Sequence, residues 1–161
     1  MPYTLKVEGM ENITEMLAKA ENAAPGIAAQ ALYKGAGVVA DEISKGARSV
    51  RTTPFKYAAG GRMRDPSPEE KEALVSAGAA GIAKFQKTGN SVNTSVGYGR
   101  SGYANINGKQ KPVAVIANAI NSGTSFMKKQ PFIRKAVSQS KGKATEVIAG
   151  EVERMVGEIM K

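Results

Sequence analysis

The carboxylates are the first place to look for chemistry in this chain, because the usual proton carriers are missing. Among its 161 residues there is no His and no Cys. That removes the commonest general base, the commonest metal ligand, disulfides and thiolate metal sites together. An enzyme built on this sequence would have to run on carboxylates, Lys, Tyr or Ser. The carboxylates cluster at Asp41-Glu42 and at Glu69-Glu70-Glu72. Neighbours at i and i+1 diverge on a helix, and the second cluster falls in a first helical turn, where the dipole favours negative charge. Both read as solvated or capping groups, not as an acid/base pair.

Phosphate cradles fare no better. Gly108-Lys109 and Gly142-Lys143 lack the glycine five residues earlier and the following Ser/Thr of a P-loop. "GAAGIA" follows no strand, so it is not a dinucleotide fingerprint; its glycines suit close helix packing. Tyr98 and Tyr103 flank Arg100 and could stack bases, although an aromatic pair on a hairpin is more often surface packing. No cofactor or metal is expected, and the chain reads as a non-enzyme.

The charge is informative. The net charge is +9, distributed as −1 over residues 1–50, +4 over 51–100 and +6 over 101–161. Such a skew suits nucleic acid or an acidic partner. The stretch 48–68 concentrates it: Arg48, Arg51, Lys56, Arg62 and Arg64 sit among three prolines and Gly60-Gly61. It reads as a long basic loop, and loops of that length are usually functional or mobile. Here Gly and Pro would let it reorder on docking to phosphates or to an acidic protein surface.

The elements that must position these groups follow from periodicity. Hydrophobic content of 42% suits a folded domain, and with 6% aromatics and no Trp the core must rest on aliphatic residues. Residues 3–9 alternate as a short half-buried strand. Ile13, Met16, Leu17 and Ala20 then recur at helical spacing. Pro25 is expected to open a second helix, whose stripe is Ile27, Ala31, Leu32, Val39 and Ile43 and whose end is near Arg48. Its remaining positions are mostly Ala and Gly, which implies a close neighbour. Ser67-Pro68-Glu69-Glu70 is a capping box, predicting an inserted helix running to Lys87, with Leu74, Gly78, Ile82 and Phe85 on one face. Residues 91–99 alternate as a strand, and Asn107-Gly108 signals a tight hairpin turn. Residues 112–120 suit either a strand or a short helix, with helix preferred. Pro131 opens a long C-terminal helix with the stripe Ile133, Val137, Ala144, Ile148, Val152, Met155 and Ile159. Gly142, Gly150 and Gly157 weaken that helix unless packing compensates. The sum is a single α+β domain over 1–161. A small antiparallel sheet packs against long N- and C-terminal helices, and the basic loop and inserted helix occupy about 49–87.

The segment "NSGTSFMKKQPFIRKAV" adds a family. It resembles the Gly-Thr … Pro-Phe-(hydrophobic)-Arg-x-Ala signature of the tailed-phage tail-component proteins, the gene-ten-like neck or tail-completion proteins of lambdoid and related phages. The matched residues are Gly123, Thr124, Pro131, Phe132, Ile133, Arg134 and Ala136. Two departures stand out: Asn121-Ser122 precede the Gly-Thr pair, where the family commonly has an acidic or aromatic residue, and residues 60–87 look like an insertion.

The resemblance implies a structural virion protein at the head–tail junction, assembled in the host cytoplasm. It would form a ring of six subunits between the head-completion proteins and the tail-terminator or tail-tube proteins, with DNA passing through its channel without sequence-specific contacts. On that reading, Gly123, Thr124, Phe126, Met127, Pro131, Phe132 and Arg134 form the subunit or partner interface. Arg48, Arg51, Lys56, Arg62 and Arg64 face the channel or the adjoining ring. The rival reading is a sequence-nonspecific nucleic-acid-binding protein. No apolar run approaches the roughly 18 residues of a membrane span, and the first residues lack an apolar signal core, so a soluble intracellular protein with no membrane partner is expected.

Overall fold

Small residues set how closely the two long helices approach. In the computed structural model, which describes residues 10–53, 63–76, 80–89, 91–99 and 102–161, α1 (Met10–Arg48) lies antiparallel against α4 (Phe132–Ile159). A Cβ on Gly35 would come within 2.4 Å of Ile148 Cγ1 and 3.2 Å of the Ala144 carbonyl oxygen. A Cβ on Gly46 would lie 3.2 Å from the Phe132 carbonyl oxygen. These two glycines are points of near backbone contact, Gly35 midway along the helix pair and Gly46 at the end where α4 begins, as the Ala/Gly-rich composition of α1 implied.

The chain is α+β. Between the long helices come α2 (Pro68–Val75), β1 (Gly81–Ile82), β2 (Gln86–Thr88), β3 (Ser91–Asn93), β4 (Val96–Gly97), β5 (Tyr103–Ile106), β6 (Lys109–Pro112) and α3 (Val113–Ser122). The antiparallel pairing is divided among three two-stranded ladders, β1–β4, β2–β3 and β5–β6. The first two are nested: Gly81 pairs with Gly97 and Thr88 with Ser91, so they form one interrupted hairpin. The third closes through Asn107 (φ 54°) and Gly108 (φ 77°), the left-handed pair that a two-residue turn requires.

Several sequence expectations change. Pro25 does not separate two helices; α1 runs through it unbroken. Its flanks are rich in Ala, the best helix former, and Ala23 and Ile27 on either side of it pack in the same cluster as Met155 and Ile159. The inserted helix stops at Val75, where Ser76 donates its N–H and hydroxyl to the Glu72 carbonyl. Ile82 belongs to a strand and Phe85 is exposed. Glycine-rich sequence there favours neither helix nor burial, and cross-strand bonds decide: Ala83 donates its N–H to the Ser95 carbonyl, and the Thr94 hydroxyl donates to the Ala83 carbonyl. On α4 the buried row is Phe132, Ala136, Ser140, Ala144, Glu151 and Met155, whereas Val137 is exposed. The expected strand at 3–9 lies outside the described residues, as do Lys56, Arg62 and Gly78.

Two hydrophobic clusters result. The larger joins Ile43, Ala47 and Val50 to Leu74, Ile106, Ile116, Ile120, Met127, Phe132 and Ala136. Among the described residues the smaller is built from α1 and α4, around Ile27, Ala31 and Met155. Beside it Glu151, though largely buried, accepts from Arg154 and Lys34, and these two cations hold its carboxyl down at about 2.

Gly142, Gly150 and Gly157 on α4 have nothing within 4 Å of an added Cβ, so no packing within the described residues offsets their helix cost. Replacing Gly150 with Ala is expected to raise stability by about 1 kcal/mol. Gly35→Ala is expected to lower it by roughly 1–3 kcal/mol through overpacking against Ile148. Urea unfolding of the two variants measures both; the same sign for both would contradict the packing described.

Candidate functional site

Helix α4 lacks a cap of its own, and the loop before it supplies one from elsewhere. No side chain of Pro131 can accept a hydrogen bond from the first turn. Instead Asn121, buried in the last turn of α3, accepts at Oδ1 from the N–H groups of Ile133 (3.1 Å) and Arg134 (3.4 Å). These are donors that a helix start leaves unpaired. The Pro131 backbone (φ −78°, ψ 58°) forms an inverse γ-turn, and the Phe132 N–H bonds to the Gln130 carbonyl at 2.8 Å. Sequence reading noted Asn121 only as a departure from the family pattern, because its partners lie 12 and 13 residues away across a loop.

The rest of the loop is closed as tightly. Gly123 (φ 78°) donates to the Ala119 carbonyl and ends α3, with Lys129 so near that a Cβ would lie 3.1 Å from the Lys129 Cβ. Thr124 brackets the turn: its N–H bonds to the Met127 carbonyl, and its hydroxyl accepts from the Met127 N–H, both at 3.0 Å. Met127, 3% exposed, inserts into the main cluster, and Phe132 joins it there. Tyr98 meets Phe132 edge-on at 6.2 Å, and burial raises its hydroxyl to about 12. Of the loop's apolar residues, Phe126 alone is exposed, at 59%. Arg134 is also exposed.

Two segments of the basic stretch are stitched to this loop. Arg64 donates its N–H to the Phe126 carbonyl, and its own carbonyl accepts from Lys128, both at 2.9 Å, making a parallel bridge to Met127. The Gln130 amide clamps the Arg51 backbone, accepting from its N–H and donating to its carbonyl at 2.9 Å each. The side chains part company. Arg48 and Arg51 are exposed. Arg64 is not free to face a channel: its guanidinium is 14% exposed and forks onto Glu70 at 2.7 and 2.8 Å. Glu70 also accepts from the Ser67 N–H at 2.8 Å, completing the capping box read from sequence. Burial pushes the Glu70 carboxyl up, but the Arg64 and Ser67 hydrogen bonds and the charges of Arg64 and Lys111 outweigh it, so its pKa lies below the ordinary carboxylate value. One of the five candidate cations is therefore structural, because a buried carboxylate required it.

Among the described residues no group of three or more acidic side chains could hold a metal ion, and no helix is long and apolar enough to cross a membrane. The Asp41-Glu42 pair is committed in part to Lys45, which bonds Glu42. No family model, curated protein or solved structure matches the chain.

Asn121→Ala is expected to cost about 1–2 kcal/mol, while Asn121→Asp, which keeps the acceptor and suits the helix dipole, costs less; denaturant midpoints compare them. The depressed Glu70 pKa has a definite sign. Its contribution is complete above the ordinary carboxylate range and is lost as pH falls below about 4.5 through the lowered native value. Glu70→Gln is expected to be less stable at neutral pH and to show a shallower acid limb in a stability-versus-pH titration. An unchanged limb would mean that the Arg64 pair does not contribute.

Proposed function

We propose that this chain is a structural subunit of a ring at the head–tail junction of a tailed phage or a related phage-like particle. What carries the reading is the position of the resembling residues. Gly123, Thr124, Pro131, Phe132, Ile133, Arg134 and Ala136 all belong to the single joint that seats α4. Gly123 turns the chain, Thr124 closes the loop, Phe132 and Ala136 enter the core, and Ile133 and Arg134 offer their N–H groups to Asn121.

The exposed groups beside the joint suit assembly. Phe126 stands out next to Met63, the residue before the Arg64 bridge, and Met63 is exposed as well. A pair of large apolar side chains on a basic surface fits a protein interface with a charged rim. The exposed Arg48 faces the adjoining ring or the DNA channel on this reading.

Mass measurement and negative-stain imaging, with and without neighbouring neck proteins, test the proposal. The expected outcome is a ring in the presence of those proteins, disrupted by Phe126→Asp while the variant remains folded. A chain that stays monomeric with every neighbour present overturns it. DNA affinity of micromolar or better by the free chain, falling steeply with salt, would favour the nucleic-acid-binding rival instead.

A further inference from the structure

The charge of this chain is separated in space. Residues 38–143 carry 18 Lys and Arg against 6 Asp and Glu, whereas residues 10–37 and 144–161, the outer halves of the two long helices, carry 4 against 7. Those outer halves pack on each other through the smaller cluster. The molecule is thus a basic body bearing a mildly acidic helical arm.

Each end offers a shaped surface. On the body, the end of α1 and the start of α4 enclose two adjoining hollows of about 190 and 260 Å³, which share Ser49, Phe132 and Lys135. Arg51, Lys129 and Lys135 line the first and Lys135 the second, and none has an ion-pair partner among the described residues; Glu42 and Lys45, bonded to each other, also line the second. On the arm, Glu146, Gly150, Glu153 and Gly157 fall at i, i+4, i+7 and i+11, one face of α4, and all four are exposed. Nothing approaches either glycine within 4 Å, and neither carboxylate is paired among the described residues, whereas Glu151 and Glu158 are both engaged by Arg154. The glycines flatten the strip, so another backbone can come close. Their cost to α4 is unexplained among the described residues of one copy and is accounted for if a second copy lies there.

We infer that the acidic strip of one copy docks in the basic groove of the next, head to tail. The two surfaces are complementary in charge and shape: two free carboxylates about 10 Å apart on a flat helix face meet a hollow rimmed by three free cations. They also lie on different parts of α4, about 22 Å apart from Lys135 to Gly150 at the helical rise. A contact between two different surfaces is heterologous, and such contacts close into rings or run on as filaments; they do not stop at dimers. The inference rests on the ring reading for closure and supplies one contact between neighbouring subunits, beside the one at Phe126.

The test is a charge swap followed by sedimentation of the full chain at low and high salt. Arg51→Glu with Lys135→Glu reverses the groove, and Glu146→Lys with Glu153→Lys reverses the strip. All four side chains are exposed, and circular dichroism checks that each variant remains folded. The wild type is expected to associate with increasing concentration, more weakly at high salt. Each reversal alone should weaken association at least about tenfold, and the two variants mixed, or combined in one chain, should restore it; a tenfold change corresponds to about 1.4 kcal/mol. A wild type that stays monomeric throughout, or reversals that the swap does not rescue, overturns the contact. So does a groove reversal that abolishes DNA binding while leaving self-association unchanged. If the contact fails but rings still form with neighbouring proteins, only this interface is wrong; if no ring forms in either setting, the ring reading falls with it.

Discussion

Everything in the central part of this molecule depends on how the chain passes from α3 to α4. The passage leaves backbone groups at both helix ends, and a buried helix end without partners is costly. Asn121 meets that demand for α4, and Gly123 meets it for α3. With the ends satisfied, Met127 and Phe132 can be driven into the same apolar cluster as α1, α2 and the β5–β6 hairpin. Once α4 is aimed there, Gly35 and Gly46 permit the long antiparallel contact with α1.

The same loop organises its surroundings through backbone bonds. It pairs with Arg64 on one side and reaches Arg51 through Gln130 on the other, pinning the two ends of the basic stretch that are described. Arg64 then turns to neutralise Glu70, a carboxylate too buried to be left charged and alone. The outcome is a closely bonded joint that leaves Phe126, Arg51 and Arg134 on the surface.

Local chemistry made much of this legible. Ser67, Pro68 and Glu70 announce α2 because a capping box needs only residues within three positions of one another. Asn107-Gly108 announces a hairpin because few other pairs adopt two left-handed conformations in succession. The start of α4 at Pro131 and the end of α1 near Arg48 follow from the same kind of short-range rule. Where short-range rules compete, they misled: Pro25 signals a helix start, yet α1 continues, and the stretch from Gly81 to Lys87 continues a helical pattern, yet it folds into a hairpin.

The sequence by itself therefore determined the class of the fold, most helix starts, the two-residue turn and the absence of His and Cys chemistry. These depend on residue type and on separations of a few positions. Only the tertiary structure decided that α1 passes through Pro25, that α4 turns Ala136 and Ser140 inward and Val137 outward, and that Asn121 caps a helix it does not belong to. It also decided that Arg64 serves Glu70. Each of these is settled by a partner a loop or a helix away, and periodicity along the chain carries no record of such a partner.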